Sequence, residues 1–216
     1  LGKMLKRFLC YNLAMKNTFS PGKFFDLSSF SYKEIFDVEN IWEVLPKIAE
    51  FVVENARLNP VLIGSGTIIE EGALIKGPAI IGDNCFIAHG AYIRDGVIIG
   101  NDVKVGHSVE IKNSIVLNNS RIAHFNYIGD SIIGNDVNFA GGAITANFRL
   151  DGAKIKIKHD GAEIETGLAK FGAIVGDGSK IGVNVVLNPG TILSKNTKVF
   201  PLTSVFGIHL NEETIK

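Results

Sequence analysis

The sequence predicts an all-β solenoid, and three observations carry that prediction. Aliphatic side chains recur at every sixth position, at Ile63, Ile69, Ile75, Ile81, Ile87, Ile93, Ile99, Val105, Ile111 and Leu117, and the ladder resumes at Val175, Ile181, Leu187, Leu193 and Val199. Neither a helical period nor strand alternation yields a strict sixfold spacing. The pattern needs a chain that turns a corner after every short strand and returns to the same face. Small residues follow four positions later, at Thr67, Ala73, Ala79, Cys85, Ala91, Val97, Val103 and Val109, as a narrow interior demands. Triplets such as Gly82-Asp83-Asn84, Gly100-Asn101-Asp102 and Gly134-Asn135-Asp136 suit corners that need positive φ.

Taken in order, residues 1–23 read as a poorly ordered lead, native or a cloning remnant, ending at Ser20-Pro21-Gly22. Residues 24–60 read as a helical arm, with helical spacing over Tyr32 to Phe36 and Ile41 to Val53. Asn40 is placed to cap the second helix, and Pro46 falls inside it unless the helix restarts there. The arm's Ile41, Val44, Leu45, Ile48 and Val52 are expected to cover the first coil, around Val61 to Ile75, because solenoids need capped ends. The repeat region runs over 61–201 and a tail over 202–216. Two irregularities interrupt it. The interval from Leu117 to Ile133 falls two positions short of three full repeats, and the repeat is lost between Thr145 and Val175. Within the second gap, alternation over Lys154 to Lys158, then Asp160-Gly161, then alternation over Ala162 to Glu165, reads as an extruded hairpin, about 148–172.

Composition bounds the function classes. A length of 216 residues fits one domain with an arm, and 46% hydrophobic content gives ample core. Equal acidic and basic counts leave no electrostatic footprint for nucleic acid. No apolar run reaches the length of a membrane-spanning helix. Two cysteines, Cys10 and Cys85, are too few for a disulfide framework, so a reduced cytoplasmic protein is expected, with no nucleic-acid or membrane partner.

With its ladder and corners, the chain resembles the hexapeptide-repeat, left-handed parallel β-helix proteins. In that family three hexapeptides make one triangular coil, so equivalent positions of successive coils stack. A more specific likeness lies around the first irregularity. Arg121-Ile122-Ala123-His124-Phe125-Asn126-Tyr127-Ile128-Gly129-Asp130 is followed by Ile133-Gly134-Asn135-Asp136-Val137-Asn138 and Gly142-Ala143-Ile144-Thr145-Ala146-Asn147. These segments resemble the acetyltransferase half of the bifunctional glucosamine-1-phosphate acetyltransferase/N-acetylglucosamine-1-phosphate uridylyltransferase. Upstream, Arg94 and Lys112 fall where that family has its Arg and Lys. The run after Asn147 departs from the bacterial pattern, and it looks more like the acetyltransferase halves of archaeal-type sugar-1-phosphate nucleotidylyltransferases. The likeness covers roughly residues 61–200.

The resemblance implies an acetyl-CoA-dependent N-acetyltransferase acting on an amino-sugar 1-phosphate, glucosamine- or galactosamine-1-phosphate, that feeds nucleotide-sugar biosynthesis. It implies that His124 is the general base, a role imidazole suits. Arg94 and Lys112 would hold the sugar phosphate, and Tyr127, Asn138 and Asn147 would contact sugar or acyl group. Lys156 or Lys154 is a candidate for a substrate-binding lysine that follows the Asn in the family. Ala143 and the later coils match the stretch along which coenzyme A lies. A homotrimer is implied, and no metal is needed for the transfer. No Gly-x-Gly-x-Arg loop follows an N-terminal strand, so the expectation is a stand-alone acyltransferase. The alternative is a non-catalytic trimeric β-helix module serving as scaffold or sugar-phosphate sensor. A γ-type carbonic anhydrase shares the fold, but His89, His107 and His124 lack the close histidine pair of its zinc site. His89 and His107 read instead as a stacked corner pair.

Overall fold

The computed structural model describes residues 18–56 and 59–216, and its body is a triangular parallel β-solenoid. Face one holds eight strands, from Val61–Ile63 to Ile208–His209. Face two holds eight, from Ile68–Ile69 to Thr214–Ile215, and face three seven, from Leu74–Ile75 to Ser204–Val205. Every neighbouring pair on the three faces is parallel. Tyr92, for example, lies opposite Glu110 of the next coil. Interior aliphatics from Ile81 to Val205 stack into one continuous core, each coil burying its apolar edge against the next.

The first irregularity is two short coils, not one double deletion. Ile98 pairs with Ile115 and Ile115 with Ile132, each interval one position short of three full repeats. The position is lost both times at the corner between faces three and one. Val116 therefore takes the interior place and Leu117 turns outward, which corrects the tenth rung of the expected ladder. Along the corner between faces one and two runs a ladder of Asn and Asp side chains. Asn101 Oδ1 accepts the Asp83 N–H at 2.9 Å, Asn118 the Asn101 N–H at 2.8 Å, Asn135 the Asn118 N–H at 3.1 Å and Asp177 the Asn135 N–H at 2.7 Å. Corner N–H groups that strands cannot pair are satisfied this way.

Several boundaries differ from expectation. Residues 1–17 of the lead lie outside the described residues, but 18–23 are ordered. Phe19 is buried and Pro21–Phe24 forms a helical turn. The arm continues as 3₁₀ turns at Lys33–Phe36 and Ile41–Lys47 and an α-helix at Ile48–Ala56. Pro46 lacks an N–H, so the chain stays 3₁₀ through it and the α-helix starts just beyond, at Ile48. The residues after Pro201 are not a tail. Ser204–Val205, Ile208–His209 and Thr214–Ile215 continue the coils, and His209 stands opposite Leu193, which hid the repeat. The hairpin pairs Lys156–His159 with Ala162–Glu165 around Asp160-Gly161, both at positive φ.

The arm does not cap the first coil. Ile41, Trp42, Val44, Leu45, Ile48 and Val52 pack instead on the outer surface of face one, against Ile80, Ile98, Ile115, Ile132, Ile174 and Ile192. The physical reason is in the strands, since every third strand carries an outward isoleucine that water would otherwise meet. Hairpin residues Ile155 and Ile157 join the same cluster. The first coil is left open, with Ile63, Ile68 and Leu74 exposed. Face one is thus covered, and faces two and three remain open.

Candidate active site

His124 stands at the corner between faces two and three, where Arg121–Ile122 ends and Tyr127–Gly129 begins. Two histidines precede it on the same edge and behave differently. The His89 and His107 rings stack, 5.8 Å apart and 7° from parallel. Each points Nδ1 at a carbonyl of the coil before, Glu71 at 2.6 Å and His89 at 2.7 Å. His124 leaves this ladder. The carbonyl of His107 is taken by the Phe125 N–H at 3.0 Å, and the His124 ring has no hydrogen bond to the described residues. Its side chain is exposed. Phe125 beside it is 63% exposed and holds φ at 56°, a left-handed backbone that a bulky residue rarely adopts. One coil on, a Cβ added at Gly141 would stand 3.0 Å from His124 Cδ2 and Nε2. Glycine there leaves bare backbone beside the ring.

The edge continues past Gly141 through Val183 and Leu202, both exposed, with Phe200 exposed on its flank. Together they leave an exposed apolar strip running on from the His124 corner. Ala143, the sequence candidate for the cofactor, is not on it. Its side chain is fully buried in the interior column, and its carbonyl accepts the Asn126 amide at 2.9 Å. The accessible residues of that corner are Gly141 and Gly142.

Across face three, at the opposite corner, stand Arg94 and Lys112 in register. Arg94 donates to Glu110 Oε1 at 2.9 Å, and its Nε is buried without a partner among the described residues. Lys112 Nζ lies 3.5 Å from Asp130 Oδ2. Asp130 is 5% exposed and also accepts from the Asn113 amide at 2.9 Å and from the Asn147 amide. The Asn147 amide bridges to Tyr127 Oη at 3.1 Å. Burial first, and then the charge of Asp130, push the Tyr127 phenol up, so it stays neutral as a donor. Arg94, Lys112, Tyr127 and Asn147 thus form one group, with His124 about a strand's length away along Tyr127–Gly129, about 16 Å by backbone.

Two sequence candidates lie elsewhere. Asn138 is on face two, in register between Arg121 and Lys180. Lys156 is on the hairpin, held by Glu165 at 2.7 Å and Glu163 at 3.7 Å, between the two isoleucines that bury against face one. The alternation that suggested a hairpin also consumes that lysine. Sequence reasoning missed Asn113 and gave Asp130 no role. The signal was there: Asn113, Asp130 and Asn147 recur at the spacing of the shortened coils.

The GMPPB C-terminal domain family matches residues 75–162. The chain is 42% identical over 79 residues to the bifunctional protein GlmU of Methanococcus vannielii, covering 37% of this chain and 19% of that protein. It is 38% identical over 82 residues to the bifunctional sugar-1-phosphate nucleotidylyltransferase/acetyltransferase of Sulfurisphaera tokodaii, covering 38% and 20%. The chain therefore spans about a fifth of these bifunctional relatives. Over 162 residues it is 38% identical to the uncharacterized acetyltransferase YaiX of Escherichia coli, covering 75% of this chain and 70% of that one. Among solved structures, the UDP-N-acetylglucosamine acyltransferase LpxA of Bacteroides fragilis superposes with a TM-score of 0.52 at 18% identity, over 65% of this chain and 54% of the other. That likeness is one of fold.

Proposed function

The chain belongs to the left-handed β-helix acetyltransferases, and from that premise we propose that it acetylates the amine of an amino-sugar 1-phosphate, with acetyl-CoA as donor. The observation that carries the reading is His124 standing off the histidine ladder, its ring without a hydrogen bond among the described residues and beside the bare backbone of Gly141. The amine nitrogen attacks the thioester carbonyl carbon, His124 takes the amine proton, the carbon–sulfur bond breaks, and coenzyme A leaves as the thiol once protonated. A backbone N–H near the thioester oxygen would steady the developing charge. The sugar lies along Tyr127, with its phosphate toward Arg94 and Lys112. The test is to mix the protein with acetyl-CoA and glucosamine- or galactosamine-1-phosphate and follow free thiol. No thiol above the hydrolysis rate with either sugar would overturn the reading and favour a binding module, toward which the carboxylate partners already held by both cations point.

The two cations should respond unequally. Arg94 is a half-exposed side chain with spare donors, so Arg94→Ala should raise the Michaelis constant for the sugar phosphate roughly 10- to 150-fold with little change in melting temperature. Lys112→Ala also strips a charge partner from the buried Asp130, so it should lower the melting temperature as well. Equal losses with phosphorylated and unphosphorylated glucosamine would show that neither cation meets a phosphate.

A homotrimer belongs to the same proposal. Face one is occupied by the arm, while face three keeps Tyr92, Tyr127, Ile144 and Val186 only partly covered. A second copy laid against face three with its own face two would bring Asn138 to Tyr127 and complete the sugar contacts. Light scattering should give about three times the 23.3 kDa chain mass, and a stable monomer at micromolar concentration would remove Asn138 from the site.

A further inference from the structure

The corner edge that carries Arg94 and Lys112 does not end with them. In register along it follow Gly129, Ala146, Asn188 and Phe206. Beside the last three opens a concavity of about 460 Å³, lined by Ala146, Phe148, Arg149, Asn188, Pro189 and Phe206 among others. Phe148 and Phe206 expose 52% and 68% of their surface, and Leu150 at the rim is fully exposed. Such apolar surface gathered in one place marks a binding site more often than isolated exposed residues do. Arg149 is pinned by Asp151, donating through Nε at 2.8 Å and through a second bond from its terminal nitrogen, which holds its guanidinium plane still. That bond first, and the Ala153 N–H next, hold the Asp151 carboxyl down at about 2, so it stays charged at neutral pH.

We infer that this concavity is a subsite for a nucleobase, so that the amino-sugar 1-phosphate proposed above is also accepted in its nucleoside diphosphate form. The inference rests on the reading above for where the phosphate lies. From Lys112 to Ala146 are two strand spacings, about 10 Å, the reach from a phosphate held at Lys112 to a base on the Phe148–Phe206 side. The lining supports a flat ring over a hydrocarbon chain. Two exposed phenyl rings and a pinned guanidinium offer faces for stacking. The Asn188 amide, whose nitrogen is bound to Ser204 Oγ at 2.9 Å and the Val205 carbonyl at 3.0 Å, keeps its oxygen as an acceptor for a base N–H. Sequence placed nothing here, because residues 148–153 look like the stem of a hairpin.

Calorimetry on the full chain, without acetyl-CoA, tests the subsite apart from catalysis. Uridine diphosphate should bind more tightly than inorganic diphosphate by roughly 5- to 150-fold, the range for one base stacked on an aromatic side chain. Phe206→Ala and Phe148→Ala, both at exposed positions, should erase that difference, and Phe206→Trp should keep it. Equal binding of the two probes would overturn the inference, as would a preference untouched by either alanine. Tighter binding of farnesyl diphosphate, sensitive to the same alanines, would overturn it in favour of a lipid-linked acceptor. Phenylalanine-dependent binding of uridine diphosphate with no acetyl transfer to any amino sugar would leave the subsite standing and sink the catalytic proposal. Acetylation of the free sugar phosphate without uridine diphosphate binding would do the reverse.

Discussion

His124→Ala should lower turnover about 10²- to 10⁴-fold, the usual worth of general-base assistance, while acetyl-CoA binding and particle mass stay near those of the wild type. The expectation comes from what the ring does not do. His89 and His107 each spend a ring nitrogen on a neighbouring carbonyl, so alanine there would remove a rung of the corner. His124 holds no such bond among the described residues, and its loss removes little structural contact beyond the edge of Phe125, 5.7 Å between ring centres. The melting curve should therefore stay nearly fixed while activity collapses. His107→Ala is the matched control, with the opposite outcome expected: a lower melting temperature and most of the turnover retained. A His124→Ala enzyme that kept more than about a tenth of wild-type turnover would show that another group takes the proton.

Much of this was legible in the residues, and the limits have physical causes. The sixfold ladder is a direct print of the interior column, because the same inward position returns once per face. It failed where a corner lost a residue. At Leu117 the aliphatic run Ile115-Val116-Leu117 offers three equivalent candidates for one inward position, and only pairing with Ile98 and Ile99 selects Val116. The same missing residue hid the column of Asn113, Asp130 and Asn147. The full-coil spacing put Arg94 beside Lys112 correctly. It could not show that Glu110 and Asp130 already hold those charges, since the partners come from different coils.

Which face a residue occupies was harder to read than which coil. Asn138 and Tyr127 are close in sequence, yet two corners separate them, one at Asp130-Ser131 and one at Asn135-Asp136. The face changes at each, so Tyr127 stays on face three while Asn138 sits on face two beside Lys180. Ala143 shows the same difficulty at the scale of one residue. It follows two glycines that line the His124 corner, and its own side chain turns into the core.

Removing the arm should have the largest effect on stability, for a reason different from capping. Ile80, Ile98, Ile115, Ile132, Ile174 and Ile192 form an apolar strip along face one, and burial of each is worth about 1.5–3 kcal/mol. Deleting residues 1–58 uncovers much of this strip, leaving the hairpin's Ile155 and Ile157 and Phe171 against it, so the truncated chain should aggregate or melt far below the full one. Deletion also releases the entropy cost of ordering the arm, which makes a point substitution the sharper probe. Ile48 is fully buried against this strip, and Ile48→Asp would place a carboxylate where no donor waits. A loss of about 3 kcal/mol or more is expected, lowering the melting temperature by roughly 6–12 °C for a chain of this size. Glu50→Lys, exposed on the same helix, should change little. If Ile48→Asp melted with the wild type, the arm would not be the cover of face one, and a docked partner would have to supply that cover instead.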